Sequence, residues 1–197
     1  MKLQIPDELH VTLLPGMYVF LALLLLLLPL RWLLALAVST VVHELFHIGA
    51  IRLLGIRLYG MSVEVGSVKL HTEPMTARQE LICAIAGPLG GLSLLLLARR
   101  FPVTATCAAF QSFYNLLPLE QSDGSRILRC GAKLLLPMPV AERLCGIIER
   151  AFLVCILLVG IYGSVVLKLG LVPVGISLVI LLKNNKSPCK AGGQAVQ

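Results

Sequence analysis

Val41-Val42-His43-Glu44-Leu45-Phe46-His47 places three ionisable side chains in the middle of an apolar segment covering about 32–54. At bilayer depth such groups each cost a few kcal/mol unless they pair, face a wet cavity or bind an ion, so the cluster marks a functional site. On a helix His43 and His47 stand one turn apart and share a face. Two neutral imidazoles at that spacing can grip one zinc ion, and the Glu44 carboxylate beside them can take a proton from water that the metal activates. A catalytic zinc normally has three protein ligands and one open position, so the pattern requires a third His, Cys, Asp or Glu elsewhere in the chain. The plainer alternative is a pair of histidines that bond to neighbouring helices in a transporter, or a chance occurrence.

The elements that must hold these groups are those of a membrane protein. Of 197 residues, 57% are hydrophobic, against roughly 45–50% in a soluble domain, and the mean hydropathy is +0.90. The net charge of +7 comes from basic residues scattered between apolar runs. No basic stripe with interleaved aromatics exists, which argues against a nucleic-acid partner. The six cysteines, at 83, 107, 130, 145, 155 and 189, contain no C-x-x-C pair, so neither a disulfide framework nor a thiolate zinc cage is indicated. The first apolar run is too long for the core of a signal peptide, although Ala35-Leu36-Ala37 resembles a cleavage site.

Hydropathy and punctuation predict an all-α polytopic membrane protein of about six transmembrane helices, with a small membrane-associated β-hairpin after the second. The spans fall at 11–30, 32–54, 79–98, 101–119, 151–167 and 171–182, within a single domain over 1–183; 184–197 reads as a disordered tail. The hairpin, about 56–72, shows period-two alternation around Gly66-Ser67, and its edge could accept an extended substrate. The third span carries Ala86-Gly87-Pro88-Leu89-Gly90-Gly91, small residues that allow close helix packing. The fourth is impure, with Gln111 and Asn115 in its second half and Pro118 near its end. Such a helix is broken or re-entrant, and irregular backbone at that depth must be buried in protein or line a cavity.

After that break comes Leu119-Glu120-Gln121-Ser122-Asp123-Gly124. Gly124 permits a tight turn that could fold the Asp123 carboxylate back toward the second span, making Asp123 the candidate third ligand. Glu120 competes for the role but lacks the adjacent glycine, and Ser122 or Asp123 could instead simply cap the basic helix predicted over 126–136. With six spans both termini lie on one side. That side then holds thirteen of the 17 Lys and Arg residues, which assigns it to the cytoplasm. The same topology puts Asp123 in the membrane half toward which the second span runs after His47.

Taken together, His43-Glu44-Leu45-Phe46-His47, Ala86-Gly87-Pro88, and Asn115-Leu116-Leu117-Pro118 followed by Asp123-Gly124 resemble the motifs of the site-2 proteases, intramembrane zinc metalloproteases. The likeness covers about 32–130. It implies one Zn2+ per chain held by His43, His47 and Asp123, with Glu44 as general base and Asn115 as a second catalytic residue that helps hold the substrate. It also implies a membrane-tethered protein substrate, membrane-protein regulators, the lipid bilayer as surroundings and no nucleic acid. The chain departs from the family pattern at Gly90 and Gly91, where an Asn is common nearby, and at Ser125, where a second Gly is common. Its few spans and small hairpin look most like the minimal bacterial sporulation branch, which releases a membrane-tethered sigma factor. A multi-pass protein of the bacterial cytoplasmic membrane is the corresponding location. Two rivals remain: a non-catalytic membrane scaffold of the same fold, and a small metal transporter, which would leave the 115–124 motif without a use.

Overall fold

The computed structural model describes residues 10–13, 18, 22, 24–64, 67–119, 122–168 and 172–185. Strand β1 (His10–Leu13) is followed by α1 (Leu30–Leu53), the strands β2 (Leu58–Glu64) and β3 (Ser67–Thr72), then α2 (Ala77–Ser93) with a 3-10 turn Leu94–Leu97. Next come α3 (Pro102–Leu116), α4 (Asp123–Leu135), α5 (Met138–Val165) and α6 (Val172–Asn185). Helices α1, α2 and α3 pack on one another, α4 packs on α2 and α5, and α5 pairs with α6.

Local chemistry sets the ends of these elements. Helix α1 begins after Pro29 and stops in a left-handed Gly55 at φ +70°, where the Ile56 N–H reaches back to the Ile51 carbonyl at 3.1 Å, a Schellman closure. Thr76 and Gln79 form a capping box at the start of α2. Pro118 forces Leu117 into an extended conformation (ψ 142°) and ends α3. Ser122 caps α4, its hydroxyl accepting the Ser125 N–H at 3.2 Å.

Among the described residues, three helical stretches, Leu30–Leu53, Ala77–Leu97 and Met138–Val165, are long and apolar enough to cross a membrane. Their outward surface fits that role. Leu53 (90% exposed), Leu96 (87%) and Val159 (70%) face outward, while the buried positions are largely Ala, Ser, Gly, Cys and His. A bilayer solvates the large side chains, so helix contacts rely on small ones.

The structure departs from the sequence reading in several places. The first span does not begin at residue 11: His10–Leu13 is a strand paired in parallel with β2, His10 opposite Gly60 and Leu13 opposite Val63. The predicted hairpin is present, β2 and β3 pairing antiparallel from Leu58–Thr72 to Glu64–Ser67 with an irregularity at Leu58/Gly60, and β1 makes it a three-stranded sheet. Its Leu58 and Leu70 pack on Ala50, Ile51 and Cys83, which seats the sheet at the end of α1 nearest His47. Helix α5 starts thirteen residues before the expected 151, through Glu142, Arg143, Glu149 and Arg150. Helices α3 and α6 have 15 and 14 residues, about 23 and 21 Å at ~1.5 Å per residue. The expected tail lies outside the described residues from 186 onward.

Candidate metal centre

Three helices bring the polar groups together. His43 and His47 project from one face of α1, in line with Ser39, and all three are buried. Asp123 is the first residue of α4 and is also buried. Its Oδ2 lies 3.1 Å from His43 Nε2 and 3.2 Å from His47 Nε2, and the two Nε2 atoms are 3.2 Å apart. These three donors form a nearly equilateral triangle.

The tautomers follow from the outer partners. His47 Nδ1 sits 2.8 Å from the Cys83 carbonyl oxygen, which can only accept, so Nδ1 carries a hydrogen and in the neutral ring Nε2 presents a lone pair. The Asn115 amide nitrogen, 3.1 Å from His43 Nε2, donates to it and marks that nitrogen as a lone-pair bearer as well. Two imidazole lone pairs and a carboxylate oxygen at such separations repel unless a proton or a metal cation stands among them. Tetrahedral zinc with bonds of about 2.0–2.1 Å separates its ligand atoms by about 3.3 Å, close to the triangle's edges. The residues fit a divalent ion, and two nitrogens with one oxygen suit zinc. Each imidazole has its other nitrogen buried: His47 Nδ1 is oriented by Cys83, while His43 Nδ1 has no hydrogen-bond partner among the described residues.

Glycines make this approach possible. A Cβ on Gly87 would land in the His47 ring, and one on Gly90 would land in the Phe46 ring. A Cβ on Gly91 would strike the Ser112 hydroxyl. The stretch around Gly-Pro is thus the seat on which α1 rests, with Gly90 against Phe46 of α1 and Gly91 against Ser112 of α3. Gly124 is not in a turn: it is helical, and the backbone carbonyls of Leu116 and Leu117 occupy the place of its missing Cβ. The demand is close approach of α4 to the end of α3, not a positive φ.

The structure assembles His43, His47 and Asp123 and puts Asn115 at their edge. Glu44 follows His43 on α1, half-buried. Glu120, the competing carboxylate, lies outside the described residues. Sequence reasoning missed the Cys83 carbonyl, which no side-chain pattern can reveal. It also missed the contact between Ser39 Oγ and Gln111 Oε1 at 2.7 Å, signalled only by Gln111 standing one turn before Asn115. Among the described residues Cys83, Cys107, Cys130, Cys145 and Cys155 are free thiols, and none belongs to the triangle.

No protein-family model matches the sequence, and no curated protein does. Among solved structures, the chain is similar to the site-2 protease from Methanocaldococcus jannaschii, with a TM-score of 0.65 and 19% identity. The match covers 100% of this chain and 99% of that one. The chain has that protein's fold. The agreement over the whole length extends to the sheet and to α5 and α6, well beyond the motif-bearing helices.

Proposed function

We propose that this chain is an intramembrane zinc metalloendopeptidase that hydrolyses peptide bonds of membrane-tethered proteins within or near the bilayer. The observation that carries the proposal is the triangle of His43 Nε2, His47 Nε2 and Asp123 Oδ2, with edges of 3.1–3.2 Å, inside a chain with the fold of a site-2 protease. One Zn2+ would be held by His43, His47 and Asp123. When bound there it supplies Lewis acidity, which lowers the pKa of water and polarises a peptide carbonyl.

The chain's own groups do the rest. Glu44 accepts a proton from water and passes it to the leaving amine. The Asn115 side-chain N–H, already aimed at the triangle, donates to an oxygen of the substrate as charge develops on it. A substrate helix has its carbonyls engaged in its own hydrogen bonds and must unwind first; the edge of the three-stranded sheet, beside the α1 end that follows His47, is a template for an extended segment. Packing of Gly87 against the His47 ring keeps the imidazole from turning away.

In this reading the six spans expected from the sequence, with α3 as the impure fourth and α6 as the last, put both termini in the cytoplasm, as the basic residues favour. The substrate is a tethered regulator, such as the sigma factor released in the sporulation branch that the chain resembles. The test is cleavage of a co-expressed tethered substrate library by wild-type and Glu44→Gln protein. Loss of released fragments by at least a hundredfold is expected; equal release from both would remove Glu44 from the role.

A further inference from the structure

Glu149 takes no part in the chemistry proposed above, yet it is a carboxylate with 12% of its side chain exposed, on a helix most of whose large apolar side chains are exposed. A charge in that position is costly unless it is fully paired. Glu149 shares its stripe of α5 with Ala141 and Cys145, both buried, at four-residue spacing. The Cys145 thiol reaches the Leu128 carbonyl at 3.8 Å, so the stripe faces α4.

Among the described residues, the polar partners of Glu149 come from α4. Its Oε1 accepts the Ser125 hydroxyl at 2.5 Å and Arg129 Nε at 2.9 Å, and its Oε2 accepts Arg129 Nη2 at 2.7 Å. A two-pronged guanidinium–carboxylate pair fixes direction as well as distance. Ser125 is two residues from Asp123 and sits in the same buried first turn, Asp123-Gly124-Ser125. Helix α4 leaves α3 through the non-helical Leu117-Pro118-Leu119 joint, about which it could pivot. At the near side of that joint the Ser122 hydroxyl bonds to the Leu117 and Leu119 carbonyls at 2.6 and 2.7 Å. Beside its packing on α2 and on the Leu116 and Leu117 carbonyls, the turn is held by the contact with α5.

We infer that Glu149 is a positioning residue: through Ser125 and Arg129 it fixes the first turn of α4, and with it the place of the Asp123 carboxylate opposite the two imidazoles. This rests on reading the triangle as a metal site. It also gives the Ser125 hydroxyl a use, since that hydroxyl is the group of the first turn that meets Glu149. Ligand placement to within a fraction of an ångström depends on such outer contacts, and their loss typically costs 10–100-fold in metal affinity.

The experiment is zinc affinity of the purified full chain in detergent, measured by competition with a chromophoric chelator, alongside helix content and thermal melting. Glu149→Gln keeps the shape and removes the charge; it is expected to bind zinc at least tenfold more weakly while remaining folded. Arg129→Gln is expected to do the same, and the double variant to be no weaker than either single one, since both break one unit. A folded Glu149→Gln chain with wild-type zinc affinity overturns the inference, even if its melting temperature falls. Should that variant not fold, Ser125→Ala removes a single hydrogen bond, and unchanged affinity there overturns the inference equally. A wild-type chain that binds no zinc removes the metal reading itself, a result distinct from either.

Discussion

The two faces of this molecule treat their side chains differently. Along the inner face of α1, Ser39, His43 and His47 recur every four residues, each with a specific atomic partner: Gln111, Asn115 and Asp123, and Cys83. On the outer face of α5, Val154, Leu158, Ile161 and Val165 recur at similar spacing and are exposed. Both stretches are apolar in hydropathy terms. The difference is that lipid accepts any large apolar group, whereas the inner face tolerates only the residue that fits. Substitutions should therefore be harsh on one side and nearly silent on the other.

The largest effect is expected at Gly87. Gly87→Leu would force a branched side chain into the His47 ring, and should abolish zinc binding and any proteolysis, measured as metal content of the solubilised chain. Next is Gly124→Ala, where the obstacle is the backbone of Leu116 and Leu117 and not a movable side chain. It should destabilise by roughly 1–3 kcal/mol in a denaturation titration and weaken zinc binding together with stability. Ser39→Ala removes one interhelical hydrogen bond, worth about 0.6 kcal/mol in a membrane, and should leave zinc content at wild-type level. Leu158→Ala, on the lipid side, should change stability by less than about 0.5 kcal/mol. If Leu158→Ala proved as damaging as Gly124→Ala, the contrast between the faces would fail.

The same contrast explains what could be read from the sequence. Charges inside an apolar run are conspicuous, so His43, Glu44 and His47 stood out at once, and the alternation around Gly66-Ser67 sufficed for a hairpin. Asp123 was reachable because it follows a break and precedes a glycine, although the glycine's reason proved to be the carbonyls of Leu116 and Leu117. In the fold, two things were not legible. Strand β1 pairs with β2 across some fifty residues of chain, and four residues carry no period long enough to detect. The early start of α5 was hidden because Glu149 lowers hydropathy in a window that cannot register its pairing with Arg129 twenty residues earlier. Hydropathy scores a charge as exposed until its partner is known.

The central claim is that one metal ion joins α1 to α4. Metal analysis of the purified wild-type chain beside Asp123→Ala tests it most directly. The account predicts one zinc per wild-type chain and a large loss in Asp123→Ala with helix content retained. Zinc held equally well by both proteins, or by neither, would contradict it.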